Sequence, residues 1–426
     1  KDRDRVSGLR QKTVAASVNT VEFALRENNT GAFPRGLAIM LRVLDEWNYG
    51  RDPFAPMAFE TPLKAIKTKA GQGSRYFEGL IRKFLLDNTH RVTLLLKPDP
   101  DLSVRRAETE KLRLEKARAA MSPNEVSQIV ETTRELQRRQ DTPDSPEALA
   151  TIPRLTRADL EKAVKTIPLE VEDSGKSTVL FHDLFTNGIL YLDLGFNLTL
   201  LKQEWLPYIP VFSRGLLETG TTSESFVQLM QRIGQRTGGI SPTTFTSASR
   251  KSPDGAAWLL LRGKAMISQT SDLLNILRDV LNTARIDDRD RIKQIVLEEK
   301  AGLESALTDM GHRVVNTRLK ARISKMDWAN EQMSGISQLF FLRNLLTQID
   351  QNWEAVQAVF EGIRTTLTRQ SGMLCNATVD SPSWNVVRGQ IMDFLKGFSS
   401  EDLPAVLWQP ERPILAEGLS VPSQVN

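Results

Sequence analysis

The side chains best suited to metal chemistry in this sequence are its 3 histidines, His90, His182 and His312. A catalytic zinc ion needs about three nitrogen or oxygen ligands held close together. None of these histidines has a second one at the four-residue spacing that places two imidazole rings on one helix face. His90 and His182 fall at the edges of predicted strands, and His312 follows a glycine in a predicted helix. The spacing favours structural histidines, and no metal ligand is predicted.

Two other short patterns suggest chemistry but have the wrong context. Gly175–Thr178 (GKST) ends like a phosphate-binding loop, yet that motif requires a glycine where this chain has Glu170. The stretch also precedes a predicted strand, whereas a phosphate-binding loop follows a strand and opens a helix. Cys375 lies on a predicted strand with no base nearby, which is typical of a buried small apolar residue rather than a nucleophile. No catalytic residue is therefore predicted.

The stretch Val211–Thr221 (VFSRGLLETGT) belongs to a predicted helix, Leu201–Gly220, that ends at glycine. It fits the frame H-x-x-E-H-x-x-x-x-G-T, which contains the zinc-binding H-x-x-E-H pattern of metallopeptidases, and its last two residues match. Val211, Arg214 and Gly215 occupy the positions of histidine, glutamate and histidine. Because none of these three side chains can hold zinc, we interpret the stretch as a degenerate, non-ligating copy of such a helix.

The composition is that of a globular protein. The 426 residues are enough for two or three domains, and 40% hydrophobic with 25% charged residues excludes a fibrous or mainly disordered chain. The net charge of +4 is too balanced to indicate a nucleic-acid surface. A single cysteine allows no internal disulfide and fits a reducing compartment. The longest apolar runs are far too short to span a bilayer, so no membrane insertion is predicted.

Both ends of the sequence suggest a fragment of a longer protein. The first residue is lysine rather than methionine, and Lys1–Arg10 has the character of neither a signal peptide nor a transit peptide. Glu417–Asn426 stops within a predicted strand. We therefore expect further chain on both sides.

Residues 1–98 are predicted to be mostly helical, with one strand at the end. Val14, Val18, Val21 and Leu25 recur at helical spacing and form one apolar stripe. Arg91–Leu96 is rich in Val, Thr and Leu and is predicted to be a strand. Since a single strand cannot form a sheet, we expect it to complete a sheet begun upstream.

Ser103–Asp141 is predicted to form two charged helices in a hairpin. It holds 9 basic and 7 acidic residues with few large apolar ones. Ser122, Pro123 and Glu125 form a helix-start signature in its middle. The pair is either a linker between two lobes or a solvated helix pair without a further role. The proline-rich stretch Thr142–Pro146 resembles a domain boundary and favours the linker.

From Thr178 onward strands and helices are mixed, which predicts an α+β domain with helices on one face of a largely antiparallel sheet. Asn187-Gly188 predicts a hairpin between the first two strands, and Pro253-Asp254-Gly255 predicts a second hairpin. Gly238-Gly239 follows a predicted helix and is either its C-cap, which we favour, or a point of close backbone approach. The predicted strands are Thr178–His182, Ile189–Leu198, Thr243–Arg250, Ala256–Met266 and Met373–Val379.

Several blocks of sequence carry a family resemblance, in order and over essentially the whole chain. They resemble the presequence proteases, organellar members of the pitrilysin and insulin-degrading-enzyme superfamily of zinc metallopeptidases. Because the spacing between the blocks is also kept, the resemblance is more specific than any short motif. The blocks are Val18–Leu41, His90–Pro100 with Ser122–Leu149, His182–Asn187, Ser225–Ser241 and Gly418–Asn426.

The resemblance implies a pitrilysin-type fold of two similar halves, joined by a helical hairpin and closing around a chamber. In this family the first half carries zinc on its H-x-x-E-H helix and a later glutamate, and the motif glutamate activates a water for peptide hydrolysis. Those positions would lie before Lys1, and the family's substrate-orienting arginine and tyrosine after Asn426. This chain would then comprise the end of the catalytic half (1–100), the hairpin linker (101–150), the non-catalytic peptidase-like domain (151–415) and the start of a truncated final domain (416–426).

The function implied by the resemblance is that of a monomeric zinc metalloendopeptidase. It would degrade targeting presequences and other short unfolded peptides in the mitochondrial matrix or chloroplast stroma. Zinc would be the cofactor of the full-length enzyme, whereas this chain would bind none and be inactive alone. The alternative is a complete, non-catalytic peptide-binding or scaffold protein derived from the peptidase. A purely helical adaptor is disfavoured by the predicted strand pairs.

Overall fold

A computed structural model describes residues 11–71, 75–97, 99–250, 255–404, 406–410 and 416–419. The chain divides into two compact units. The larger comprises Lys1–Ile81 together with Ile167–Asn426, and the smaller comprises Arg82–Thr166. The N-terminal helices thus share a unit with the sheet. The domain limits at residues 100, 150 and 415 stay a prediction.

The larger unit is built around one six-stranded sheet with the strand order β1-β2-β6-β3-β5-β4. Neighbouring strands are antiparallel, apart from the parallel pair of β2 and β6. The predicted α+β class with a largely antiparallel sheet is confirmed. The strands are β1 (Glu170–Ser174), β2 (Ser177–Asp183), β3 (Ile189–Asn197), β4 (Ile240–Ser247), β5 (Ala256–Met266) and β6 (Met373–Val379).

One face of this sheet supplies the hydrophobic core. Leu190, Leu192 and Leu194 of β3 are fully buried, and side chains two apart on a strand share a face. They pack in one cluster with apolar side chains of the helices that follow the first three strands. The helices of the larger unit are α1 (Gln11–Glu27), α2 (Arg35–Trp47), α3 (Glu60–Gly71), α4 (Tyr76–Ile81), α8 (Ile209–Glu218), α9 (Phe226–Arg236), α10 (Thr270–Thr283), α11 (Arg289–Asp309), α12 (Gly311–Lys320), α13 (Lys325–Ser334), α14 (Ile336–Gln351), α15 (Trp353–Leu367) and α16 (Ser381–Lys396).

The smaller unit consists mainly of charged helices: α5 (Leu102–Ala119), α6 (Pro123–Asp141) and the short α7 (Pro146–Ala150). The predicted start of α6 is confirmed, because Ser122 Oγ accepts from the Glu125 amide at 3.3 Å and Glu125 Oε2 accepts from the Ser122 amide at 2.8 Å. Neither α5 nor α6 has a buried residue. A role as a linker remains a prediction.

The predicted hairpin at Asn187-Gly188 is wrong. Both residues have the positive φ of a tight turn, 54° and 76°. The strands on either side are nevertheless not neighbours, because β6 lies between them and pairs with both.

Strand β1 was not predicted at all. It pairs with β2 through a turn at Gly175, so the GKST stretch lies in a β-hairpin, consistent with the rejection of a phosphate-binding loop.

Two other predicted elements also differ. The expected helix Leu201–Gly220 is a 3₁₀ helix over Gln203–Tyr208 followed by α8, because Pro207 and Pro210 lack the amide hydrogen of a continuous α-helix. Arg91–Leu96 forms no strand with the described residues and its apolar side chains are exposed, and its expected pairing with a sheet begun upstream stays a prediction. The predicted strand at Glu417–Asn426 falls largely outside the described residues, as do Lys1–Arg10 and Pro253-Asp254.

Helix α1 is anchored on the sheet and on α9 by a face that the apolar stripe did not identify. Asn19 Nδ2 donates to the carbonyls of Gly234 (2.8 Å) and Thr237 (3.0 Å) at the end of α9. Lys264 Nζ donates to Glu27 at 2.6 Å, and Tyr191 OH donates to it at 3.2 Å. Burial and the nearby Glu27 carboxylate raise the pKa of Tyr191 to about 12. These contacts join α1 to β3 and β5.

The ring of Phe23 completes this anchor by packing on Gly238, which has no side chain. Thr237, not Gly238, caps α9, so the favoured interpretation of Gly238 as a cap is wrong and the close approach is correct. The predicted stripe of α1 lies elsewhere. Val14, Val18 and Val21 line an apolar groove of about 420 Å³ with side chains of α3 and α4.

The substitution Gly238→Ala tests this anchor. An added methyl group would collide with the ring of Phe23, and overpacking of this kind costs about 1–3 kcal/mol. We expect a lower free energy of unfolding in urea and faster hydrogen exchange in α1. Gly302→Ala in α11 is the matched control, because no atom lies within 4 Å of the added methyl and alanine favours the helix. Equal stability of the two variants would contradict the anchor.

Candidate functional site

The degenerate motif lies on α8, at its packing interface with α11. Val211 is 0% exposed and belongs to the main core cluster. A Cβ on Gly215 would lie 3.2 Å from Ile292 Cδ1 of α11, so glycine lets the two helices approach closely. Both positions are buried. This part of α8 is therefore built for helix packing.

Arg214, the central position of the motif, points into a cluster of carboxylates. Its Nε and Nη2 donate to the two oxygens of Glu218 at 2.7 and 2.9 Å. From α11, Glu299 accepts from Nη1 at 2.9 Å and Glu298 accepts from Nη2 at 2.5 Å. These charge-assisted bonds raise the pKa of Arg214, and the guanidinium lowers the pKa of Glu298. The side chain of Arg214 is 23% exposed, so the bonds are partly shielded from water.

Arg291 of α11 closes the cluster from the other side. Its Nη2 donates to Glu218 Oε2 at 2.8 Å, its Nε donates to the Glu218 carbonyl at 2.9 Å, and its guanidinium lies over the ring of Phe226. All three carboxylates of the cluster are thus paired with arginine. Among the described residues, no group of three or more His, Cys, Asp and Glu side chains could hold a metal ion. The cluster cross-links α8 to α11 and offers no free base.

The histidines and the cysteine do not form a second site. His90 and His312 are exposed, and His182 lies between the Pro168 carbonyl (2.7 Å, Nδ1) and Asn376 Oδ1 (2.8 Å, Nε2). Cys375 is buried in the core, and burial raises the pKa of its thiol to about 12, far from a reactive thiolate at neutral pH. His182 and Cys375 are thus held within the sheet.

Sequence reasoning missed a polar row across the sheet face opposite the core. From His182 on β2 it continues through Asn376 on β6, whose Nδ2 donates to Asp193 Oδ2 on β3 at 3.3 Å. Asp193 Oδ1 in turn accepts from Arg262 Nε on β5 at 3.0 Å. The alternation of polar and apolar residues along each strand was a visible signal, but the order of the strands was not.

An apolar area lies beside the polar row on the same face. A Cβ on Gly195 would lie 3.1 Å from Leu260 and 3.3 Å from Trp258, with Leu374 on the other side at 3.4 Å. These three side chains are half-buried. The face thus combines hydrogen-bonding groups with an apolar surface.

Where the chain is described, its helices include none long and apolar enough to cross a bilayer.

Comparison with known proteins gives a consistent set of similarities. The family of peptidase-associated domains of M16 subfamily C matches residues 96–345. "Presequence protease 1, chloroplastic/mitochondrial" of Arabidopsis thaliana is 40% identical over 422 residues, which cover 98% of this chain and 39% of that protein. "Protein HypA" of Clostridium perfringens is 32% identical over 340 residues, covering 80% of this chain and 35% of that protein. "Presequence protease, mitochondrial" of Danio rerio is 23% identical over 345 residues, covering 81% and 33%. The chain thus spans little more than a third of these relatives.

The substitution Arg214→Gln tests the ion cluster. It keeps a polar amide but shortens the side chain and leaves Glu298 and Glu299 without their cation, and hydrogen bonds to charged groups contribute about 1.5–3 kcal/mol. We expect the free energy of unfolding at neutral pH to fall by about that amount. Arg343→Gln, which breaks an exposed pair with Glu304, is the control and should cost well under about 1 kcal/mol.

The loss of stability caused by Arg214→Gln should also depend on pH. Arg214 holds the pKa of Glu298 below its ordinary value of 4.5, so this pair stabilises the folded state above that pH. As the pH falls through the lowered pKa, Glu298 becomes protonated and the contribution is lost. The difference between wild type and Arg214→Gln should therefore narrow in acid. A difference that is constant from neutral pH to pH about 3 would show that the charges do not matter.

Proposed function

Because this chain belongs to the family of peptidase-associated domains of M16 subfamily C, we propose that it forms the non-catalytic half of the chamber of a zinc metalloendopeptidase. The observation that carries the proposal is the match of this family to residues 96–345, together with the packing of α8 at the degenerate motif. The substrates of the whole protein would be targeting presequences and other short unfolded peptides. The names of the plant and fish relatives support this substrate class and a place in the mitochondrial matrix or chloroplast stroma. We further propose that the full-length protein acts as a monomer.

The zinc ion of the whole enzyme would be held outside this chain. Val211 and Gly215 would occupy the positions of the two zinc-binding histidines, and Arg214 that of the catalytic glutamate. In this chain the three residues would serve helix packing instead. This chain would have no catalytic residue of its own. In this proposal residues 1–100 end the catalytic half, 101–150 link the halves, 151–415 form the non-catalytic domain, and 416–426 begin the next one.

The contribution of this half would be to shape the chamber around an unfolded peptide. The sheet face opposite the core suits that task, because Asn376, Asp193 and Arg262 offer hydrogen-bonding groups beside an apolar area. An unfolded peptide presents backbone amides and carbonyls together with scattered apolar side chains, and such a mixed surface can meet both. Binding by this half would then raise the local concentration of peptide at a distant zinc site.

The activity of the isolated chain tests the proposal. Residues 1–426 with added zinc and a quenched fluorescent presequence peptide should give no chelator-sensitive cleavage, because the chain would lack the ligands and the base. The full-length protein is the positive control and should cleave the same peptide in a chelator-sensitive reaction. Turnover by the isolated chain would show that the catalytic groups lie here. Lack of turnover by the full-length protein would instead favour a peptide-binding or scaffold protein.

Restoring the histidine, glutamate and histidine of the motif should not produce peptidase activity. In Val211→His/Arg214→Glu/Gly215→His, a histidine at 211 would fall in a fully buried site and one at 215 would press on Ile292. Glutamate at 214 would face Glu218, Glu298 and Glu299 with like charge. We expect a less stable protein without zinc-dependent cleavage, measured by thermal unfolding and the same peptide assay. Arg214→Lys alone, which keeps the charge but not the guanidinium fork, should lose less stability than the triple variant. Zinc-dependent cleavage by the triple variant would overturn the degenerate-motif interpretation.

A further inference from the structure

A groove of about 240 Å³ lies on the larger unit, away from α8 and from the polar row of the sheet. Helices α12 and α14 form two of its walls, with Val315 and Leu319 on α12 and Phe340 on α14. Glu417, Gly418 and Leu419 form the remaining wall. A segment remote in sequence from both helices therefore lies against them.

The segment is held by a bidentate ion pair between the guanidinium of Arg318 and the carboxylate of Glu417. Arg318 Nε donates to Glu417 Oε1 at 2.6 Å, and Nη2 donates to Oε2 at 3.1 Å. Bidentate pairing of this kind selects a carboxylate, because lysine cannot present two parallel N–H groups. Leu419 is only half-covered beside the apolar side chains of the groove. The segment thus makes one directional polar contact and one apolar contact.

Arg318 is also fixed from behind. Its Nη1 donates to Ser337 Oγ at 3.1 Å and lies 3.3 Å from Oε1 of Glu331, whose side chain is 0% exposed. The Glu331 carboxylate is itself placed by the Ser337 amide, which donates to Oε1 at 3.0 Å. A guanidinium held on its inner side by a buried carboxylate is preoriented toward solvent before any ligand binds, which lowers the entropy cost of binding. These contacts preorganise Arg318 to bind a carboxylate beside the groove.

We propose that the surface of α12 and α14 beside this groove is a docking site for the chain's own segment Glu417–Leu419. Arg318 is the carboxylate anchor, and Leu419 lines the groove beside its apolar side chains. Docking holds this segment, which is remote in sequence from both helices, at a fixed position on α12 and α14. The proposal concerns an interaction within this chain and does not depend on peptidase activity.

Cleavage by a glutamate-specific endoproteinase measures docking directly, because the protease cuts after Glu417 only when the segment is released. In the native full chain, cleavage at this bond should be at least about tenfold slower than in a synthetic peptide of residues 411–426. Arg318→Ala should accelerate cleavage by about tenfold, since it removes both charge-assisted bonds. Arg318→Lys, which keeps the charge without the fork, should give an intermediate rate.

Two further variants separate docking from overall stability. Leu419→Ser changes the segment alone and leaves Glu331 paired, so it should accelerate cleavage while the thermal midpoint stays unchanged. Arg289→Ala removes an exposed ion pair with Asp350 that involves no residue of the groove, and it should leave the cleavage rate unchanged. Cleavage of the native chain at the rate of the free peptide would overturn the proposal. The same holds if neither Arg318→Lys nor Leu419→Ser changes the rate.

Discussion

The position of β6 between β2 and β3 is the constraint on which the rest of the larger unit depends. β6 pairs in parallel with β2 on one side and antiparallel with β3 on the other, so the sheet is continuous only once this late strand has arrived. Helices α8 to α15 lie between β3 and β6 in sequence, and most of them contribute side chains to the core on the apolar face. Closing so long a stretch costs chain entropy that only the finished sheet and core offset. We expect the sheet and these helices to fold as one cooperative unit.

Within that unit, the three motif positions of α8 make packing and ion-pair contacts. A zinc site needs ligands that converge on an open coordination position. Here the helix instead presents Val211 to the core and Gly215 to α11, and Arg214 binds carboxylates on both helices. Arg214 and Arg291 together give each of the three carboxylates a hydrogen-bonded cationic partner. These side chains therefore stabilise the packing of the two helices.

Structural features that depend only on residues close together in the sequence were predicted correctly. The Ser122 capping box, the strand alternation and the burial of Cys375 follow from neighbouring residues and appear as expected. The main error concerns a partner distant in sequence, because β6 separates the two strands that a tight turn indicated as a pair. Arg91–Leu96 has strand-like residues and no partner among those described, and the sheet expected for it would begin upstream. A strand is defined by its neighbour's hydrogen bonds, so composition alone could not decide either case. The polar row was invisible for the same reason, since it requires the strand order.

The anchoring of α1 bears on how the proposed halves are held together. By resemblance α1 belongs to the end of the catalytic half, yet it shares a compact unit with the sheet of the other half. Asn19 satisfies carbonyls at the end of α9, Phe23 occupies the space above Gly238, and Glu27 pairs with Lys264. A hydrogen-bonded cap, a buried ring and a part-buried ion pair together resist separation more than any one of them alone. If the chain has the proposed role, the connection between the halves does not rest on the charged helices α5 and α6 alone. The end of the first half would then be built into the second, and motion of the chamber would have to occur elsewhere than at α1.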